Sequence, residues 1–230
     1  MKNKKKILIV EPHSDDSAIA AGAYLQKCSI ECDLYFVLVS ASSLNLRHKY
    51  VSKEERIVEY QNYVDSLNGR FIRPYSQAKN IQLPVDMESK LDLVSKADLV
   101  NAIEQSIIMI EPDEILVMGP SFHHDHTIVF ECVKAATRPT FHQKIKQVLI
   151  MENPTYVHSW NMEYTPNVYF QANKKEIDLK LDRFEKMFPS QIRSKGNYLS
   201  REGILKWSKY RGIEARTEYA EAFHCLFRLI

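Results

Sequence analysis

Cysteine is scarce here: Cys28, Cys32, Cys132 and Cys225 are the only four in 230 residues. That scarcity excludes a small disulfide-stapled scaffold and points to a reduced, cytosolic compartment. Cys28 and Cys32 stand four apart and make no C-x-x-C pair, so all four read as buried small hydrophobes rather than metal ligands. A charge excess of either sign is also missing, with 31 basic against 29 acidic residues. Phosphate binders carry a clustered basic excess, so no nucleic-acid partner is expected. The one basic run is Lys2, Lys4, Lys5 and Lys6, and residues 1–5 read as a flexible basic tail. Long apolar runs are absent as well. Ile7–Val10 stops at Glu11-Pro12, short of the roughly 7–15 residues of a signal-peptide core. No stretch approaches the ~18 apolar residues of a transmembrane helix. A soluble protein that stays where it is made is expected.

What is present is the composition of a globular protein, 45% hydrophobic and 26% charged, which excludes a disordered tail protein or a fibrous repeat. Ile7–Val10 is a continuous apolar run followed by polar residues and a helical stretch from Ala18 to about Lys27. A run buried on both faces that feeds a helix is the βα unit of a parallel sheet. Further strands are expected at 34–39, 71–72, 115–118, 148–151 and 168–170. Helices are expected at 53–67 (closed by Asn68-Gly69), 98–110, 127–136, 173–187 and 201–211. No linker or internal repeat divides the chain. The expectation is one α/β domain over 1–230, Rossmann-like, with a mostly parallel sheet flanked by helices.

Two polar clusters fall at strand carboxyl ends, where such sheets collect ligands. His13-Ser14-Asp15-Asp16 follows the first strand, and His123-His124-Asp125-His126 follows the strand ending at Met118. Asp15 or Asp16 alone would read as a helix cap, worth about 1 kcal/mol. A capping turn has no use for His13, however, and a second His/Asp cluster at the same sheet edge argues for shared chemistry. His, Asp and His ligands with a fourth position for water describe a catalytic zinc site. Zinc lowers the pKa of bound water to about 7 and polarises a carbonyl. Amide hydrolysis also needs a base for the water and an acid for the departing amine. His13, Asp15, Asp16, His123, Asp125 and His126, with His124 in reserve, are enough for three ligands, a base, an acid and an orienting carboxylate.

These motifs resemble the PIG-L/LmbE-like zinc-dependent de-N-acetylases. The family's first signature, a strand followed by (A/P)-H-P-D-D-E, stands here as Pro12-His13-Ser14-Asp15-Asp16-Ser17, and its H-P-D-H as His123-His124-Asp125-His126. Arg56 to Glu59 running to Leu67-Asn68-Gly69 resembles an R-x-x-E helix. Arg211-Gly212 followed by Tyr219-Ala220-Glu221-Ala222-Phe223 resembles a C-terminal motif, and Ser190-Gln191 is similar to bacterial members. The resemblance spans about Lys6 to Phe227, with the motifs in the family's order. It implies that His13, Asp16 and His126 hold one zinc or another divalent metal. Asp15 is implied to take the proton of the attacking water. His123, held by Asp125, is implied to stabilise the tetrahedral intermediate and protonate the amine, and Arg56 to contact the substrate. The implied activity removes the acetyl group from an N-acetylated amino sugar or its conjugate, in a bacterial cytoplasm.

Ser14 and His124 replace prolines of the signatures and remove no ligand. Ser17 replaces a glutamate that is not a ligand, so its loss bears on tuning around the metal. The segment Ser40-Ala41-Ser42-Ser43 lacks the glycines common in the family, which points to a different pocket rim. A second reading is a non-catalytic sugar-binding protein on the same scaffold, its chemistry damaged at Ser17. A nucleotide-binding Rossmann domain is excluded, because the first turn carries acids and His in place of G-x-G-x-x-G. Aromatics between Tyr156 and Tyr169, among them Trp160 and Tyr164, read either as a sugar-stacking face or as core or oligomer contacts. The sequence leaves a homo-oligomer open.

Overall fold

The computed structural model describes residues 4–46, 49–76, 81–139, 144–153 and 164–230. The apolar run forms the middle of β1 (Lys5–Glu11), so the strand already begins at the last residue of the expected tail. The chain continues through α1 (Asp16–Ala20), α2 (Gly22–Glu31), β2 (Cys32–Leu38), β3 (Leu44–Leu46), β4 (Lys49–Val51) and α3 (Lys53–Ser66). Next come β5 (Arg70–Ile72), β6 (Tyr75–Ser76), β7 (Ile81–Gln82), a 3₁₀ turn at Leu91–Leu93, α4 (Lys96–Ile110), β8 (Glu114–Met118) and α5 (His124–Ala136). The last elements are β9 (Gln147–Met151), β10 (Val168–Ala172), α6 (Lys174–Met187), α7 (Arg201–Ala215) and β11 (Tyr219–Arg228).

Seven strands form one sheet in the order β10-β11-β9-β8-β1-β2-β5. β1 pairs in parallel with β2 and with β8, placing Phe36 and Leu116 on either side of Ile9. Ile7, Leu8, Ile9 and Val10 are all fully buried, because both faces of the sheet are covered. Ile7 and Ile9 pack with Leu25, Tyr60, Leu181, Phe184 and Ile204, from α2, α3, α6 and α7. Leu8 and Val10 point the other way, onto Leu99, Ile103, Val129 and Val133 of α4 and α5. A strand buried on both faces has no polar alternation, which is why the run reads as uniformly apolar.

Local chemistry sets the helix ends. The Ser52 hydroxyl accepts the Glu55 N–H at the start of α3. Asn173 and Glu176 form a reciprocal capping box at α6. After α3, Asn68 takes a left-handed conformation with φ 52°.

Three expectations need correction. The helix expected from Ala18 is two helices broken at Ala21. The C-terminal motif around Tyr219–Phe223, where no strand is expected from the sequence, lies in β11, which sits antiparallel between β9 and β10. The His/Asp cluster expected to precede the helix at 127 instead forms the first turn of α5, with His123 at its N-cap. Among the described residues no helix is long and apolar enough to cross a membrane.

Candidate active site

β1 lies at the centre of the sheet, with β2 on one side and β8 on the other, so the chain reverses its order of addition there. A crevice opens outside the carboxyl ends of the strands at such a point. The turn after β1 and the first turn of α5, which follows β8, meet in it. His13, Asp16, Asp125 and His126 are all buried there, and Asp15 is half-buried.

Three donor residues converge. His126 Nε2 lies 3.2 Å from His13 Nδ1 and 3.4 Å from Asp16 Oδ1, and His13 Nδ1 lies 3.7 Å from Asp16 Oδ2. Donors bound at about 2.0–2.1 Å around a tetrahedral cation lie roughly 3.3–3.4 Å apart, so the spacing and the N/N/O donor set both fit one divalent metal. Asp16 is held in place because its Oδ2 also accepts the His13 backbone N–H at 2.9 Å. Asp15 sits at the N-cap of α1 without making a side-chain cap bond, so its carboxylate is not committed to capping.

Asp125 is fully buried, and it accepts backbone N–H groups from Ser89 at 2.7 Å and Leu91 at 3.2 Å. Its Oδ2 lies 3.0 Å from His13 Nε2. That hydrogen bond places the proton on Nε2 and turns the Nδ1 lone pair toward Asp16 and His126, the usual arrangement behind a metal-ligating histidine. The expected His123–Asp125 pair is instead a 3.9 Å approach of Nδ1 to Oδ2, longer than a hydrogen bond. The physical reason lies in the helix start. Asp125 stands inside the first turn and points inward, whereas His123 at the N-cap stays at the edge. His123 Nε2 lies 3.3 Å from Ser89 Oγ. A second possible metal cluster, His13, His123 and Asp125, draws on the same Asp125 oxygens, which already accept three hydrogen bonds, so it fits a cation less well.

The electrostatics follow from burial and crowding. Burial opposes charge on His13, yet the Asp125 hydrogen bond and the nearby Asp16 and Glu88 charges push it up to about 9. Burial, then the His13 charge, holds His126 well below the ordinary imidazole range, which leaves it a neutral donor. Burial and the same charge push His123 down to about 4. Burial raises Asp125, but its hydrogen bonds from His13 and Ser89 outweigh this and hold it below the usual carboxylate range.

Arg56 is buried, donating to Ser42 O at 2.9 Å and pairing with Glu88. Glu88 and Ser89 border the site, and sequence reasoning did not find them. They sit in a stretch without motif or periodicity, and only the fold carries it across. Two weak motifs turn out to be one contact: Glu59 of the R-x-x-E helix accepts the Ser190 N–H at 2.9 Å. Glu221 of the C-terminal motif accepts the Ala23 and Tyr24 N–H groups at 3.0 and 2.8 Å and pairs with Lys180 at 2.6 Å. His124 lies on the rim, 3.3 Å from Asp125 Oδ1. Tyr164 packs edge-on against Phe130 at 5.0 Å and, with Ser121, Glu152 and His224, lines a shallow cleft. Tyr156 and Trp160 lie outside the described residues.

No family model matches the sequence, and no curated protein matches it. Solved structures do. N,N'-diacetylchitobiose deacetylase from Pyrococcus horikoshii superposes with a TM-score of 0.71 at 18% identity, over 98% of this chain and 85% of that one. A deacetylase of teicoplanin biosynthesis gives 0.70 at 16% identity, over 96% and 97%. The 4-carboxy-2-hydroxymuconate hydratase from Pseudomonas putida gives 0.67 at 15% identity, over 98% of each. The α/β architecture read from the sequence is therefore the fold of these deacetylase structures, and the same fold also carries a hydratase.

Proposed function

We propose that the protein is a zinc-dependent amidohydrolase that removes the acetyl group from an N-acetylated amino sugar or a conjugate of one. The convergence of His13 Nδ1, Asp16 and His126 Nε2 within 3.2–3.7 Å, with Asp15 beside it, carries this reading. These three residues are the proposed ligands, and bound zinc would acidify a water and polarise the acetyl carbonyl. Asp15 takes the proton of the attacking water. His123, neutral in the free protein, gains charge as the carbonyl oxygen becomes negative, stabilises that oxygen, and passes on to the leaving amine the proton that Asp15 took from the water. Asp125 holds the His13 tautomer, and Arg56 fixes Glu88 at the pocket edge. An acetylated sugar as substrate is supported by the deacetylases among the structural neighbours, chitobiose deacetylase foremost.

The test is metal analysis of purified protein, followed by incubation of the zinc-loaded form with N-acetylhexosamine conjugates while acetate and free amine are measured. One zinc per chain and equimolar release of the two products are expected, with both lost in His126→Ala. A hydratase would release neither product. Zinc binding without acetate release would favour the sugar-binding reading.

A further inference from the structure

Glu11, the last residue of β1, is a carboxylic acid with 0% exposure in a strand otherwise filled by Ile, Leu and Val. Taking a carboxylate out of water costs several kcal/mol unless its oxygens find donors. Both do. Oε1 accepts the Ser17 backbone N–H at 2.7 Å, and Oε2 accepts the Tyr60 hydroxyl of α3 at 2.5 Å. The turn from Pro12 to Ser17 is thereby tied at two points. The Asp16 carboxylate grips the His13 N–H from inside the turn, and Glu11 grips the N–H of the residue that follows Asp16. The Ser17 hydroxyl is also buried, facing Glu11 and the Tyr63 hydroxyl.

This geometry bears on the one acidic position that the sequence lacks. The signature it resembles carries glutamate where this chain has Ser17, and the Ser17 side chain and N–H face the Glu11 carboxyl. A helical side chain in a first turn leans back toward the helix N-terminus, here toward the end of β1. A carboxylate reaching from position 17 and one reaching from position 11 therefore enter the same buried space from opposite sides. We propose that Glu11 is a positioning residue that supplies this carboxyl group from the strand, fixing the turn that presents Asp15 and Asp16. Ser17 is then no sign of a decayed site, because a short side chain at 17 makes room for the acid at 11. The inference rests on the proposed metal site.

The experiment compares wild type with Glu11→Ala, Glu11→Gln and the double variant Glu11→Ala/Ser17→Glu. It measures zinc affinity by competition with a chromogenic chelator, melting of the metal-free protein, and kcat and KM on an N-acetyl sugar. Glu11→Ala is expected to weaken zinc binding about 10–100-fold, the range for loss of groups that orient ligands, and to lower kcat with KM little changed. Glu11→Gln is expected to stay within about threefold of wild type, since its amide oxygen accepts the Ser17 N–H and its amide nitrogen faces an oxygen that also accepts. The double variant is expected to recover about tenfold or more of the zinc affinity lost in Glu11→Ala. If Glu11→Ala does not fold, recovery of a folded, zinc-binding double variant is the supporting result. Glu11→Ala with a lower melting temperature but wild-type zinc affinity overturns the positioning role, and so does a double variant no better than the single one. Wild-type protein that takes up no zinc overturns the proposed function itself, an outcome distinct from either of these.

Discussion

The turn after β1 keeps His13 and Asp16 out of water and Asp15 half-buried, whereas the turn after β8 leaves two imidazoles at its edge. His13 and Asp16 are 7% and 3% exposed, while the side chains of His123 and His124 are 23% and 51% exposed. The first turn is tied by its own backbone, with the His13 N–H donating to Asp16 and the Ser17 N–H donating to Glu11. The second divides its four residues by their place on α5: Asp125 and His126 point inward, and His123 and His124 stay outside. Ligands gain from rigidity, since side chains already held in place bind a cation with little rearrangement. A group that passes a proton to a departing amine must instead reach substrate and solvent. The contrast fits the proposed roles, with metal binding by buried residues and proton transfer by the less buried Asp15 and His123.

The sharpest way to break that division is Asp15→Asn. It removes the proposed base and leaves the ligands in place, so zinc content is expected to stay at one per chain while kcat falls about 10²–10⁴-fold. Near-normal acetate release from that variant would move the base elsewhere.

Asp125→Asn tests where the second turn's carboxylate acts. Its hydrogen bond goes to His13 rather than His123, so zinc affinity is expected to drop about 10–100-fold. His123→Ala is expected to keep full zinc affinity and lose turnover. Equal zinc affinity in wild type and Asp125→Asn would return Asp125 to a partnership with His123.

Proton competition sharpens the comparison further. The His13 imidazole, raised to about 9 by its Asp125 bond and nearby carboxylates against the opposing effect of burial, must lose a proton before Nδ1 binds a cation. Below that pH, zinc affinity is expected to fall about tenfold per unit, more steeply once the Asp16 carboxyl, raised by burial to about 7, is protonated as well, and above it to level off, as titration calorimetry at several pH values would measure. A flat profile between pH 6 and 9 would show that no ligand is protonated there.

A related effect concerns stability. Burial raises the Glu11 carboxyl to about 8, so between roughly pH 4.5 and 8 the folded state holds a proton that the unfolded state has released. Stability from this group is present below the unfolded pKa and is lost as pH rises through 8. Glu11→Gln is expected to flatten that decline in the melting temperature by a few degrees. A variant as pH-sensitive as wild type would assign the decline to another group. The smallest effect is expected from His124→Ala, less than about twofold in kcat/KM, since the residue is half-exposed on the rim.

Much of the site was legible because its chemistry is written in short segments. His13, Asp15 and Asp16 lie on one turn, and His123, Asp125 and His126 span four residues. The apolar runs before them fixed the strand ends. The partnerships were not legible. Asp125 meets His13 across 112 positions, and its choice over His123 depends on which residues fall inside the first turn of α5. Glu88 and Ser89 carry no periodic or motif signal. Tyr219–Phe223 reads as a motif, yet it lies in a strand, because antiparallel pairing with β9 and β10 is a long-range matter that no local pattern announces.

By itself the sequence determined the alternation of strands and helices, the carboxyl-end position of both clusters, and the supply of imidazoles and carboxylates. Each of these follows from local periodicity and residue type. Only the tertiary structure decided which nitrogen of His13 faces Asp16 and His126, which histidine Asp125 meets, and that the Glu11 carboxyl lies against Ser17. Those are matters of a few ångströms between residues far apart in the chain, and they are set by how the strands and helices pack.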